Sequence, residues 1–500
     1  MLRPAARRGK ALRALVLLAL AAACEGVAPP GADGVASAPG ARATPPLVSA
    51  PGLAPAPASA PPAASAGPDW PARPGACATT GLRAPAAPTA GPPRARAAWI
   101  EQNFGEVAKL GSVLAALHEH HPEVSELVEI GCSLEGRPIL ALVIGRDVHG
   151  ARARPSFLLD GAHHGDEPMS ALVVLDAARH LLERGKGDPR VARWLDEALV
   201  WCLPLVNPDG FAAWRENFGS GRKNRRDVGA LGPARWNKGV DLYRNYPFGW
   251  GLLGGRAGRT DPMHMWYRGA VPGSEPETQA MMRLAQGEHF AGAISYHVGT
   301  VVLLAPYTIA GVRSPEPNDA WVVAEHIVRR MPRHPDRPIE LRRNLYPVDG
   351  TGQDWLRASH GTVALLVESA LRSRVAGTQR ELSIEAIRPS WQLLLDRYLD
   401  GPSVYGELRD ASGRPVVAEV SIAEIRTFAG ESWTSRCRDG RFDRYLPGPG
   451  SYTLRVRVPG GGVLERPFAA GAGRVRVDVT LPAAAPPGAR CPAEVRPTGP

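Results

Sequence analysis

The 500-residue chain is 44% hydrophobic, carries a formal charge of +10 and contains 55 glycines and 50 prolines. That apolar fraction excludes a wholly disordered chain, and the length predicts about two to four units. Half of the net charge sits on Arg3, Arg7, Arg8, Lys10 and Arg13, and no basic stripe with interleaved aromatics follows, which argues against a nucleic-acid partner.

Residues 1–23 read as an export signal, with a basic start and then the apolar run Ala14–Ala23. The run is about half of the roughly 20 residues that a spanning helix needs. Ala21-Ala22-Ala23-Cys24 also resembles a bacterial lipoprotein cleavage box, although the usual Leu sits one place early at Leu20. Cys24 is therefore either acylated, anchoring the chain to a membrane, or simply follows a secretory cleavage site. No later segment is apolar and long enough to cross a membrane, so the chain is expected to be exported to the cell envelope or secreted. Residues 24–95, rich in Ala, Pro, Gly and Ser, cannot build a core and are expected to form a disordered linker.

Periodic structure begins near Trp99. The spacing predicts a helix over 99–121, strands at 127–130, 139–144 and 157–159, a helix over 169–182, and strands at 199–206, 293–297 and 363–368. This alternation predicts an α/β domain over 96–402, with a mixed central sheet covered by helices. Polar and apolar residues then alternate at Tyr452, Leu454, Val456 and Val458, and at Val475, Val477, Val479 and Leu481. A small antiparallel β-sandwich over 403–482 is expected there, followed by a disordered tail over 483–500. Cys77, Cys132, Cys202, Cys437 and Cys491 form no C-x-x-C, which argues against a thiolate metal site. Some are expected to pair in an exported protein, whereas Cys132 and Cys202 read as small buried hydrophobes in strands.

The most informative stretch is Asp160-Gly161-Ala162-His163-His164-Gly165-Asp166-Glu167-Pro168, between a buried strand and a helix. Side chains there project at a sheet edge, where sites form. Zinc in a hydrolase commonly takes two His and one Glu and leaves one position for water. His163 with Asp166 and His164 with Glu167 both satisfy the spacing, and the residues alone leave the register open. They equally allow an ordinary surface His pair. Glu368 ends the apolar run Val363–Val367, so its carboxylate emerges at the end of a buried strand.

From Trp99 to Leu399 the sequence resembles the M14 family of zinc carboxypeptidases, block by block and in order. Ile130-Gly131-Cys132-Ser133-Leu134-Glu135-Gly136-Arg137-Pro138 comes first, then His164-Gly165-Asp166-Glu167, with Asp166 where the family has Asn. Asn207-Pro208-Asp209-Gly210, Gly239-Val240-Asp241-Leu242-Tyr243-Arg244-Asn245, Ser274-Glu275-Pro276-Glu277 and Ser295-Tyr296-His297 follow, then Tyr346, Asp354-Trp355 and Glu368. The resemblance implies one zinc ion on His164, Glu167 and His297, with His163 as a neighbour that orients a ligand or lines the cleft. It implies Glu368 as general base and Arg222 as the oxyanion partner, with Arg225 and Arg226 close enough to compete. Arg244 would grip a C-terminal carboxylate, and Tyr346 would close over the substrate.

Two positions depart from the family. Tyr243 stands where Asn is expected, and Gln353, at a position that decides side-chain preference, is neither a carboxylate nor aliphatic. Residues 401–482 resemble the transthyretin-like domain of one branch of the family. The implied function is an exported zinc carboxypeptidase acting on peptide or protein C-termini without an obligate protein partner. Alternatives are a zinc amidohydrolase of cell-wall peptides or N-acyl amino acids, and a non-catalytic binding protein on the same fold.

Overall fold

The computed structural model describes residue 102 and residues 109–150, 153–217, 221–229, 238–312, 316, 318–373, 377–427, 431 and 433–490. The export signal, Cys24, the linker, the Trp99 end of the first helix and residues 491–500 lie outside the described residues. In chain order, helix α1 (Leu110–His120) precedes β1 (Ser125–Cys132), β2 (Pro138–Ile144) and β3 (Ser156–Gly161). Helices α2 (Pro168–Arg184) and α3 (Pro189–Glu197) lead to β4 (Leu199–Leu203) and α4 (Pro208–Asn217). Then come α5 (Pro276–Glu288), β5 (Gly292–His297), β6 (Val301–Leu304), α6 (Asp319–Val328) and β7 (Glu340–Arg342). The domain ends with α7 (Gly352–His360), β8 (Val363–Ser369), α8 (Gly377–Ile387) and α9 (Pro389–Leu399).

The eight strands form one mixed sheet in the order β1-β2-β4-β3-β5-β8-β6-β7, as the alternation predicted. Strands β4, β3, β5 and β8 are mutually parallel, while β1, β2 and β6 pair antiparallel with their neighbours on the path to that centre. Every residue of β3 and β5 is buried, because helices cover both faces. That is why these strands read as unbroken apolar runs rather than alternating ones. Leu159, Ile294 and Leu365 face one core with Trp194 and Trp391. Leu158, Ala293 and Ala364 face the other, with Trp201 and Phe290. Each fully buried Leu, Ile or Phe contributes about 1.5–3 kcal/mol. The strand expected to reach Val206 stops at Leu203, since Pro204 has no N–H for the ladder.

Parallel pairing gathers the C-terminal ends of β3, β5 and β8 at one edge. Gly161 lies opposite Tyr296, and His297 lies opposite Glu368. Open α/β sheets place their ligands outside such ends.

After residue 402, β9 (Ser403–Arg409), β10 (Glu419–Ile422), β11 (Arg441–Tyr445), β12 (Gly450–Arg457), β13 (Val463–Ala470), β14 (Arg474–Arg476) and β15 (Val479–Thr480) form two facing sheets. One is β10-β12-β13 and the other β11-β9-β14, with β15 also on β9. Leu408, Val420, Leu454 and Val456 fill the space between them. The sandwich is not wholly antiparallel as expected, because β14 and β15 run parallel to β9. Their run is broken where the Asp478 carboxylate accepts the Glu407 N–H at 3.0 Å, in place of a backbone carbonyl. Residues 483–490, expected to be disordered, instead close the sandwich. Ala485 and Ala489 are buried, and the Ala489 carbonyl accepts the Val417 N–H at 2.9 Å. Cys132, expected to be a simple buried hydrophobe, is disulfide-bonded, as is Cys437, whereas Cys202 is a free buried thiol. Among the described residues no helix is long and apolar enough to cross a membrane.

Sandwich and sheet domain meet at a seam that holds two histidines. The α7 helix ends at Gly361, whose φ of +70° and contact with Trp433, 2.6 Å from a notional Cβ, leave room only for glycine. Beside it, the rings of His289 and the buried His360 lie 5.1 Å apart, and His289 Nδ1 lies 3.1 Å from the Thr434 carbonyl. Burial and the neighbouring Arg444 and Arg436 push His289 down to about 4, and burial, His289 and Arg444 push His360 well below its ordinary value. Both are neutral in the folded protein, so their stabilisation is complete above the ordinary value of 6.5 and is lost as pH falls from there toward 4. Urea midpoints should therefore drop between pH 6.5 and 4, and the drop should be smaller in His360→Leu.

Candidate active site

The loop leaving β3 places His164 and Glu167 one turn apart, with the Glu167 N–H on the His164 carbonyl at 3.1 Å. Gly165 is required there, since a Cβ would lie 2.1 Å from the Phe211 nitrogen. Of the adjacent pair, His164 and not His163 joins Glu167 and His297, and the three are buried with their ligand atoms within 4.8 Å of one another. His297 Nδ1 lies 3.3 Å from both His164 Nδ1 and Glu167 Oε2, and His164 Nδ1 lies 2.8 Å from Glu167 Oε1. Ligands about 2.0–2.1 Å from one tetrahedral zinc lie roughly 3.3 Å apart. The donor set and its spacing thus fit a zinc ion with a fourth position open.

Asp241 stands behind this group, fully buried. Its Oδ1 lies 3.2 Å from His164 Nε2 and accepts the Tyr243 N–H at 3.0 Å, which starts the turn carrying Tyr243 and Arg244. Its Oδ2 accepts Nε and Nη2 of Arg222 at 3.0 and 2.9 Å. Burial works against the ionised form of Asp241, but Arg222 and His164 hold its carboxyl well below the usual range. Burial and Arg222 oppose protonation of His164, yet Glu167 and Asp241 raise it to about 9 in the absence of a cation. The pocket is thus built for positive charge. Arg222 keeps Nη1 on the ligand side, 3.4 Å from His164 Nδ1 and 3.8 Å from Glu167. Asn224 fixes the register of this segment by pairing with both backbone groups of Val240, at 3.0 and 2.9 Å, and donating to Glu275 at 2.7 Å.

A second set of hydrogen bonds reaches His297 from the interior. Ser295 Oγ lies 3.3 Å from His297 Nε2 and donates to Asp160 Oδ1 at 2.6 Å. His163 Nδ1 lies 3.1 Å from the same Asp160 oxygen, and its Nε2 lies 2.9 Å from Tyr246 Oη. His163 is therefore a support beneath the site rather than a ligand.

One pocket is lined by His164, His297, Glu368, Arg244, Tyr346 and Gln353, with Tyr243 as a wall. Arg222 borders it through His164. Glu368 Oε2 is buried without a hydrogen-bond partner among the described residues. Burial, reinforced by the charge of Glu167, pushes the Glu368 carboxyl up to about 8. Arg244 is buried, and its Nη1 donates to the Tyr243 carbonyl at 2.9 Å and Nη2 to Tyr346 Oη at 3.3 Å. Tyr346 sits at the rim, 42% exposed, with its ring stacked on Trp266. The Tyr243 ring meets His297 and His163 edge-on, at 4.3 and 4.7 Å between centroids. Sequence reading gave no role to Asp241, Asp160 or Ser295. Asp241 and Ser295 lay inside recognised blocks, two residues before Tyr243 and His297, and that proximity was the one signal for them.

The zinc carboxypeptidase family, Peptidase_M14, matches residues 110–393, more than half of the chain. Metallocarboxypeptidase A of Trichophyton tonsurans is 30% identical over 240 residues, covering 46% of this chain and 55% of that protein. The inactive metallocarboxypeptidase ecm14 of Sclerotinia sclerotiorum is 29% identical over 199 residues, covering 38% of this chain and 32% of that protein. The chain spans about half the length of the curated relatives it matches. Among solved structures, thrombin activatable fibrinolysis inhibitor aligns with a TM-score of 0.53 and 19% identity, over 62% of this chain and 80% of that one, a likeness of fold.

The hydrogen bonds behind His297 give a direct prediction. Removing such a support from a metal ligand weakens metal affinity about 10- to 100-fold. Ser295→Ala and Asp160→Asn should each raise the zinc dissociation constant by about that factor in a competition titration.

Proposed function

The chain belongs to the M14 family of zinc carboxypeptidases, and from that premise we propose that it removes C-terminal residues from peptides or proteins at one zinc ion held by His164, Glu167 and His297. The observation that carries this reading is Arg244. It is a buried cation in the same pocket as the His-Glu-His group, and its hydrogen-bond partners among the described residues are neutral oxygens. The Asp241 carboxylate acts on it only at a distance, and a buried charge without a directly paired counter-charge is costly. A substrate carboxylate supplies one in the forked geometry that guanidinium favours.

Zinc, when bound, supplies Lewis acidity and a nucleophilic water near neutral pH. Arg244 and Tyr346 hold the terminal carboxylate and set the scissile carbonyl beside the His-Glu-His group. Arg222 directs Nη1 at the carbonyl oxygen and stabilises the negative charge that develops there. Glu368, whose Oε2 has no hydrogen-bond partner among the described residues, takes a proton from the attacking water and delivers it to the leaving amine. Residues 1–23 direct export, with Cys24 either acylated or simply following a secretory cleavage site, and the β-sandwich serves as a transthyretin-like accessory domain.

A second reading is a non-catalytic binding protein, since one relative carries the word inactive in its name. Retention of His164, Glu167, His297 and Glu368 in one pocket favours turnover.

Incubating the zinc-loaded chain with mixed peptides should give mass-spectrometric ladders that lose one residue at a time from the C-terminus. Internal cleavage, or none, would refute the proposal. Glu368→Gln should lower kcat about 10²- to 10⁴-fold with zinc content unchanged. The acid limb of the wild-type kcat/KM profile should lie between the ordinary 4.5 and about 8. Activity needs ionised Glu368, which burial disfavours and the zinc charge favours, so it is lost as pH falls through that limb.

A further inference from the structure

One edge of the large sheet carries a groove that the peptidase reading leaves unused. β1 is the terminal strand there, with β2 on its inner side. Val128, Glu129, Ile130, Gly131 and Cys132 line an open groove of about 450 Å³ together with Arg283 and Leu284 of α5. Gly131 lets α5 come this close, since a Cβ there would lie 2.8 Å from the Ala280 Cβ. Cys132, at the end of the groove, is disulfide-bonded, and the fold narrows the choice of its partner. Cys202 is a free thiol. Cys437 is at the other end of α5. Two residues after Cys132, the Leu134 N–H meets Glu277 in the first turn of that helix at 3.1 Å. Arg436 Nη1 and Arg438 Nη2, on either side of Cys437, reach the carbonyl and carboxylate of Glu288, its last residue, at 3.3 and 3.2 Å. Glu288 also accepts from Ser156 at the start of β3, and the sheet register puts that point and Cys132 at opposite ends of the strands. Glu277 and Glu288 are about 16 Å apart at 1.5 Å per residue, whereas a disulfide holds its Cα atoms within about 7 Å.

Cys437 has a nearer candidate. The Ser435 N–H meets the Ala418 carbonyl and the Val417 N–H meets the Ala489 carbonyl, both at 2.9 Å. Cys437 and Cys491, each two residues further on, therefore start from neighbouring points of the sandwich. Cys24 and Cys77 remain for Cys132. Cys77 belongs to residues 75–84, the longest proline-free run between Pro29 and Pro93. A chain added to a sheet edge must donate N–H groups, which proline lacks. Thr79 and Thr80 suit a strand, and Leu82 is an apolar match for Val128 and Ile130. We propose that Cys77 is bonded to Cys132 and that residues 77–84 lie along β1 as an added edge strand in this groove, with Cys437 bonded to Cys491. In each bond two thiols give two protons and two electrons to a disulfide-bearing oxidant of an export compartment, which is reduced to its dithiol. The added strand covers an edge that would otherwise template pairing with another chain. It also shortens the tether, since the linker from Cys24 then ends before Cys77 rather than at Ala95.

The full exported chain, alkylated and digested without reductant, should give the linked peptides Cys77–Cys132 and Cys437–Cys491 by mass spectrometry. Cys132 linked instead to Cys24, Cys437, Cys491 or a second chain would overturn the proposal. Docking is read separately, by limited trypsin digestion of the native chain, as the rate of cleavage after Arg83 against that after Arg42 in the linker. Native proteolysis tracks the open population, so pairing on the edge should slow the Arg83 cut by about tenfold or more. The double variant Thr79→Pro/Thr80→Pro keeps every cysteine and removes whichever of the two N–H groups faces β1. It should bring the Arg83 rate to within about threefold of the Arg42 rate with the disulfide map unchanged. Equal rates in the wild type would reject the docked strand even if Cys77 and Cys132 are linked. Protection that survives in the double variant would reject strand pairing as its cause.

Discussion

The site depends on one buried carboxylate. Asp241 engages His164 and the turn of Tyr243 and Arg244 through one oxygen, and Arg222 through the other. His164, Arg222 and Arg244 are thus referred to a single buried group, although they come from three separate stretches of chain. The arrangement holds because Arg222 and His164 keep Asp241 ionised against its burial. Asn224 ties the Arg222 segment to Val240, next to Asp241, and Glu275 ties Asn224 to the start of α5.

The side-chain pocket has a different anchor, the helix α7. Its first turn carries Gln353 and Asp354, and further along Arg357 makes two hydrogen bonds to Asp319 at the start of α6. The same guanidinium lies 4.5 Å over the ring of Trp433 from the sandwich. Tyr307, next to Thr308, is hydrogen-bonded to Glu431 of the sandwich. The pocket floor is therefore braced on one side by the sheet domain and on the other by the sandwich. Proton loss or gain at the His289 and His360 seam acts on the end of this same helix, about two turns from Gln353.

Much of the fold was legible because strands buried on both faces leave unbroken apolar runs, and Val363 to Val367 is one such run. The sequence could not choose between His163 and His164, since both spacings satisfy a metal site. The fold decides by sending His163 inward to Asp160 and Tyr246. The recognised blocks marked where the site lies without showing what each residue does. Asp209 of the Asn-Pro-Asp-Gly block, for example, accepts from Ser133 and Arg137 of the first block, joining segments 72 to 76 residues apart. Such contacts have no local periodicity to betray them. The parallel strands β14 and β15 were equally hidden, because alternation reports which face is buried and not the direction of the partner strand.

The chemistry finally turns on two carboxylates that share a pocket and are driven in opposite directions. Glu167 is buried, but His164 and His297 hold its carboxyl far below the ordinary range, so it stays an anion and suits a metal ligand. Glu368 also feels His164 and Arg222, but burial with the charge of Glu167 outweighs them and raises it. A carboxyl held low suits the ligand of a cation, while one raised toward neutral suits the uptake and release of a proton. The parallel register of β5 and β8 enforces the division, because it places Glu368 opposite His297 while Glu167 arrives from the loop after β3. Sheet topology thus separates Glu167 from Glu368, and the histidines beside the one and the burial of the other drive the two carboxyls apart.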